Sequence, residues 1–508
     1  MKYFIIYPVH LFEDIELIKS IDPNIIYLIE DDKYFNSFPF HKSKLTYHRA
    51  TMEFYKDYLI SKGFVCKYIE STRKNKYSWI KSNDFVWSYD PIDHELRKLL
   101  YGLNCEQIVL VDPPSFMESL TDLYTYQQTQ TNGKKYFHDA SFYKWQRKRL
   151  ELLVDSKGKP EGSSWSFDKE NRNPFEKNYM EPNISKWSNE YWEQARKYIN
   201  KTFPSNFGEI QDYCLFPLTF RQNKSHLKKF ISTRLKTFGT FEDAVNSDVI
   251  GGSHSLLSTS MNVGLITPEY IITQIMEFYL SQSKSNKTKL IQQVEAFIRQ
   301  VIGWRSYVRF IYEFHGQDMM KENLLGHKNS IPTGWYTSNP NTGFDFIDGL
   351  IKKAWTYGYL HHIERLMYIG NLLLLTQTKP LEVYKWFMVC FLDSYEWVMV
   401  PNIMGMSQYS LESIQMMTRP YFSSSAYIKR MSDFNSKEIN LSDKEEYPWE
   451  KVWNALYYNF ISTHSNLLKS IYSTAIQVKN LNKLTINERK ELFDIANLYI
   501  HKYTYELD

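Results

Sequence analysis

The chain has 508 residues, 43% of them hydrophobic and 17% aromatic, with 39 Tyr, 32 Phe and 13 Trp. That much apolar side chain supports a large core and excludes disorder, and the length suits two to four domains of about 100–200 residues each. With 19 Gly and 18 Pro a turn-rich sandwich or propeller is disfavoured, and a net charge of +4 announces no polyanion partner, although a local basic patch would still fit one.

The start of the chain carries too short an apolar run for a signal peptide, and no stretch reaches 18 apolar residues, so a soluble intracellular monomer with no membrane partner is expected. Cys66, Cys105, Cys214 and Cys390 are isolated in the sequence, without CxxC pairs or a His at ligand spacing. Structural zinc and disulfide scaffolds are poor readings, and no metal site is expected.

Four short apolar runs, Phe4–Val9, Asn24–Glu30, Phe64–Glu70 and Gln107–Asp112, read as buried parallel strands. Between the second and third, Met52, Tyr55 and Leu59 recur at helical spacing over Leu45–Ile60, as a crossover helix requires. The pattern predicts a doubly wound α/β domain over residues 1–130. Its first glycine is Gly63, so the glycine-rich phosphate turn of a dinucleotide fingerprint is missing.

Residues 131–200 are polar and turn-rich and read as an interdomain connection. Residues 201–508 read as all-helical. Val294, Phe297, Ile298, Val301, Val308 and Ile311 step along one helix, Ala354–Leu375 and Val383–Val400 are long helical candidates, and Thr485 with Glu488 forms a capping-box signature.

Four segments place polar groups inside core-like stretches. Gly251–Ser258 offers backbone and hydroxyl donors to an anion ahead of a helix, the alternative being a plain Ser N-cap. Arg305 and Arg309 share a helix face beside Trp304 and Tyr307, rings suited to stacking a planar group; the alternative is a solvated basic stripe. His361 and His362 fall within the Ala354–Leu375 candidate, where adjacent residues point about 100° apart and so cannot both ligate one ion from one turn. Arg365 in that helix requires a carboxylate or ligand, and Asp393, after the apolar run that holds Trp386, is its natural partner.

Together these segments resemble the photolyase and cryptochrome superfamily. The likeness is strongest to its prokaryotic branch of (6-4) photolyases and iron–sulfur photolyase-related proteins. It extends from Glu30-Asp31 and Phe40–Leu45 through Trp165–Arg172, Arg234–Gly239, His254–Ser258, Asn262–Leu265, Gly303–Arg305, His361–Met367, Tyr395–Trp397 and Pro401-Asn402 to Gly405–Gln408 and Tyr427–Asp433. The resemblance implies an antenna-type α/β domain, a linker and an all-helical domain that holds FAD.

By the same resemblance His254, Ser255, Leu256 and Ser258 lie at the flavin phosphates, Trp304 stacks near the ring, Arg365 and Asp393 pair beside it, and Asn402 approaches flavin N5. Trp386, continued by Trp335 or Tyr336, feeds electrons to the photoexcited flavin. His362, with His361 beside it, favours (6-4) photoproducts as the substrate in UV-damaged DNA. In the implied reaction reduced FAD absorbs light and passes one electron to the flipped-out lesion, His362 supplies a proton, and the electron returns. The alternatives are a cryptochrome-like photoreceptor and a cyclobutane-dimer photolyase. Arg305, Tyr421 and Arg430 are implied DNA contacts, and Glu30, His41 and Lys42 match the region of a lumazine-type antenna.

Two departures stand out. The branch holds a [4Fe–4S] cluster with one cysteine ahead of the His-His segment and three after the Arg-Met-Ser-Asp segment. Here Thr342–Leu350 and Phe434–Trp449 contain none, and Asn435, Glu438 and Tyr447 stand near three of the expected ligand positions. No iron–sulfur cluster is expected, with aromatic and polar packing in its place. Phe241 also replaces a tyrosine that contacts the flavin phosphate in relatives.

Overall fold

The computed structural model describes residues 1–130, 139–167, 172–442 and 445–505. The first part of the expected linker, 131–138, and positions 168–171 of the Trp165–Arg172 segment lie outside them.

Strands β1 (Lys2–Ile6), β2 (Ile25–Ile29), β3 (Cys66–Ile69), β4 (Phe85–Tyr89) and β5 (Gln107–Val111) form one parallel sheet in the order β3-β2-β1-β4-β5. Ile5 on β1 sits opposite Tyr27 on β2 and Ser88 on β4. β4 escapes the apolar-run reading because Ser88 interrupts it; that hydroxyl is buried and donates to the Ile5 carbonyl at 3.0 Å. The crossover helix Lys42–Ser61 buries Leu45, Met52, Tyr55 and Leu59.

The order of strands reverses between β1 and β4, the usual place for a ligand crevice at the carboxyl edge of such a sheet. Here the helical body docks on that edge. Lys33 bonds Glu396 at 2.6 Å, and the cavity left among Tyr34, Ile92, Asp93 and Tyr395 is about 20 Å³, room for roughly one water.

The 131–200 connection is less of a free linker than its composition suggests. Its helix Asp139–Arg149 packs on the 299–304 segment, and its helix Glu190–Thr202 packs on Lys42–Ser61. Arg147 is fully buried and donates to the carbonyls of Leu152, Leu153 and Trp165.

The remainder is helical apart from a two-stranded antiparallel hairpin, Ile439–Ser442 with Glu445–Tyr447. The capping box at Thr485 is present with both of its hydrogen bonds. Two of the long helical candidates are broken. Asp345–Tyr357 stops at Gly358, whose φ of +59° and contact with Leu392 leave no room for a side chain. The chain resumes as a π-helical segment, Glu364–Gly370, and then Asn371–Leu375. Val383–Val400 divides into Pro380–Cys390 and Glu396–Val400, with Asp393 in the turn between them. His361 therefore precedes the helix, and the 100° argument against shared ligation loses its premise.

Candidate functional site

A cavity of about 290 Å³ opens among the helices of the C-terminal body, with apolar walls that include Phe238, Phe297, Leu360, Phe387 and Met399. Three π-helical segments line it: Arg299–Trp304, Glu364–Gly370 and Pro401–Ser407. Each inserts an extra residue into a helical turn and re-aims the side chains beyond it, an arrangement frequent at functional sites. Trp304, Arg365 and Asn402 reach the cavity from these segments.

Arg365 and Asp393 form the expected ion pair, Nη1 to Oδ1 at 2.9 Å and Nη2 to Oδ2 at 3.3 Å. Arg365 Nε donates to the Leu360 carbonyl at 2.7 Å, and its guanidinium lies 4.0 Å from the centroid of Phe391. Ser258 Oγ donates to Asp393 Oδ2 at 2.8 Å, so this serine serves the carboxylate and does not cap its own helix. From the sheet domain, buried Lys44 reaches the Ser394 carbonyl next door, and burial pushes its ammonium down to about 7.

Trp304 Nε1 donates to Asn402 Oδ1 at 3.1 Å, and Asn402 Nδ2 donates to the Val398 carbonyl, which fixes both side chains at the wall. Trp386 stands behind that wall, fully buried against Phe387 and Phe391, and its Nε1 donates to the Trp335 carbonyl. The two indoles meet edge-on at 5.6 Å.

His254, His361 and His362 cluster at the cavity mouth. His254 stacks on His361 at 4.7 Å and meets His362 edge-on at 5.3 Å. Burial first, and neighbouring positive groups second, hold His254 and His361 well below the usual imidazole range. The His362 side chain is 50% exposed, and its Nε2 lies 3.6 Å from Asp243 Oδ1.

Several assignments change. The Gly-Gly donors are taken by a linker residue: Glu181 accepts from the backbone N–H groups of Ile250, Gly251 and Gly252. That leaves His254, Ser255, Leu256 and Ser258 lining the cavity. Arg305 and Arg309 make no solvated stripe. Arg309 is fully buried on Asp112 and the Glu118 carbonyl, while Arg305 holds Asn262 Oδ1 and the Ser115 carbonyl with its guanidinium over Phe116 and Trp397. Burial lowers Arg305 to about 9, and it faces the cavity and not the outer surface. Its Nη2 stays buried beside the cavity with no partner among the described residues.

Tyr421 is half-buried outside the lining, and Arg430 is exposed at the end of Ser425–Met431, over the Tyr427 ring. Glu30 accepts from Arg49, Tyr68 and the Ser71 backbone N–H. His41 caps the crossover helix, bonds the Trp355 carbonyl and packs against Gly208, with half-buried Lys42 beside it. Glu30 and His41 are thus occupied in domain packing, and neither lines a described cavity with Lys42. Asp243 and Glu181 carried no signal in the sequence pattern, and Asn262 none beyond its place in the Asn262–Leu265 resemblance, because each works through a partner more than 40 residues away.

Where the cluster ligands would fall, Phe346 stacks on Phe434 and meets Trp449 edge-on, and Asn435 accepts from Trp449 Nε1. A cavity of about 510 Å³ lies beside them, lined by Asp345, Lys353 and Asp433 among others. Cys66, Cys105, Cys214 and Cys390 lie elsewhere in the chain, so these residues do not fit a [4Fe–4S] cluster.

Residues 4–214 match the family described as deoxyribodipyrimidine photo-lyase-related protein. A (6-4) photolyase of Agrobacterium fabrum is 31% identical over 372 residues, covering 73% of this chain and 71% of that protein. The chain belongs to the photolyase and cryptochrome superfamily. An uncharacterized protein of Acanthamoeba polyphaga mimivirus is 42% identical over 118 residues, 23% of this chain and 85% of that one. In fold, the crystal structure of a bacterial class III photolyase from Agrobacterium tumefaciens is similar at a TM-score of 0.52 and 14% identity, covering 83% of this chain and 82% of that one. This superfamily member thus has the expected α/β domain followed by a helical body. No helix among the described residues is long and apolar enough to cross a membrane.

Proposed function

We propose that the protein is a photolyase that repairs UV-damaged DNA in light, acting on (6-4) photoproducts. The observation that carries this reading is His362, half-exposed at the mouth of an apolar cavity whose wall holds the Arg365–Asp393 pair, in a chain 31% identical to a (6-4) photolyase.

The cavity residues fit FAD. Apolar and aromatic walls suit a planar ring, and Arg305 Nη2, buried with no partner among the described residues, supplies a polar contact there. Arg365, Asp393, Trp304 and Asn402 would hold the ring, while His254, Ser255, Leu256 and Ser258 would lie along the phosphates. When bound, reduced FAD supplies an electron to the lesion under light. Arg365 offsets negative charge at the ring, and Asp393 keeps Arg365 aimed. Trp386, one aromatic layer from the cavity and in contact with Trp335, would pass the electron that returns the cofactor to its reduced state.

A lesion reaches the mouth only by leaving the duplex, which costs least where pairing is already lost. There His362 donates a proton from its ring as the hydroxyl passes between bases, and Asp243 orients that ring. Tyr421 and Arg430 are the proposed DNA contacts. No step runs through an iron–sulfur cluster.

The test is His362→Ala in the flavin-loaded protein. Repair of a (6-4) lesion under blue light is expected to fall at least 100-fold, while photoreduction of the flavin proceeds at the wild-type rate. Repair that persists would remove His362 as the proton donor.

A further inference from the structure

The three histidines at the cavity mouth arrive from separate places: His254 from the loop before Ser258–Val263, His361 from the turn released by Gly358, and His362 from the start of the helix that follows. One ring nitrogen of each lies within 4.8 Å of the other two. On each ring a second acceptor stands behind. The backbone of Glu242 faces the His254 ring, His361 Nε2 is 3.8 Å from Glu364 Oε2, and His362 Nε2 is 3.6 Å from Asp243 Oδ1. His254 Nε2 and His361 Nδ1 are left buried without a hydrogen-bond partner among the described residues.

Metal-binding histidines keep a carbonyl or carboxylate behind one ring nitrogen while the other presents its lone pair, and here the carboxylates stand just beyond hydrogen-bond distance of His361 and His362. Two unsatisfied buried nitrogens cost free energy that a ligand would recover. The chemistry of the donors narrows the ligand. Three imidazoles with no carboxylate in the first layer suit zinc, copper or nickel over magnesium or calcium.

We propose that His254, His361 and His362 form a binding site for a divalent transition cation of the zinc class, with the fourth coordination position open to the cavity. At metal–nitrogen distances of about 2.0–2.1 Å, tetrahedral ligand nitrogens stand roughly 3.4 Å apart. Binding therefore turns His254 and His361 out of their stack and draws the three rings together, a movement that half-exposed His362 has room to make. Occupation takes the lone pair of His362 and blocks the mouth, so the loaded site switches repair off. That consequence rests on the proposed role of His362; the binding itself does not.

The experiment uses tag-free, full-length protein carrying oxidised flavin, titrated with Co²⁺ and followed by ligand-field absorption to the red of the flavin bands. Zn²⁺ stoichiometry is read by elemental analysis after dialysis. One equivalent is expected, with affinity reduced at least 100-fold in His254→Gln and about 10–100-fold in Asp243→Asn, whose lost carboxylate acts from behind the ligand. Should His254→Gln fail to fold, the Asp243→Asn shift decides. Absence of a saturable equivalent, or unchanged affinity in a folded variant, overturns the site. Zn²⁺ added to the wild-type repair assay separates the two readings: tight binding with undiminished repair leaves the site standing and removes His362 from the chemistry.

Discussion

Arg365 and Asp393 show how a residue-scale expectation survives when its setting does not. An arginine in an apolar stretch demands a carboxylate, and the first one after the next apolar run supplies it at 2.9 Å. The demand comes from the cost of burying charge, so it holds although the expected continuous helices are broken. Asp393→Ala leaves Arg365 without its carboxylate; chemical denaturation is expected to show a loss of about 3–5 kcal/mol, with flavin lost on gel filtration. A loss under about 1 kcal/mol would mean that water already compensates the pair. Arg305 marks the limit of the same reasoning. Its spacing from Arg309 marks one helix face, but whether that face meets solvent or protein depends on Ser115, Phe116 and Asn262, which sequence spacing cannot bring near it.

Among elements, short apolar strands and the crossover helix were legible because period and length alone specify them. The cavity-lining helices were less so: a π-helical turn shifts the phase of everything after it without changing composition, and three such segments line the cavity. Gly358 is the element-scale feature that most directly builds the site, since it ends Asp345–Tyr357 in a left-handed turn and frees His361 from the following helix. Gly358→Ala is expected to cost at least about 1 kcal/mol from backbone conformation alone, and more from collision with Leu392, measured by urea unfolding. Pairing it with Leu392→Ala should recover the collision part. Full recovery in the double variant would show that the positive φ carries no cost.

For the whole molecule, the packing of sheet domain, linker and helical body leaves many histidines without water. Burial lowers His10 to about 3 and His41 and His226 to about 4. Each is neutral in the folded chain while its unfolded counterpart takes up a proton below about 6.5, so stability is complete above 6.5 and falls with pH down to the folded values. The slope is about 1.4 kcal/mol per pH unit for each fully contributing histidine. Denaturant midpoints measured from pH 7.5 to 4.5 should therefore drop steeply below 6.5; a flat profile would contradict the burial. The aromatic excess noted in the composition is distributed across this same packing, around the cavity, behind it at Trp386 and Trp335, and in the Phe346, Phe434 and Trp449 array. Which lesion the cavity accepts is the central claim, and an illuminated repair assay tests it. With flavin-loaded protein and oligonucleotides carrying either a (6-4) photoproduct or a cyclobutane dimer, blue light is expected to restore the (6-4) substrate and leave the dimer intact. Restoration of the dimer alone, or of neither lesion while flavin remains bound, would contradict it.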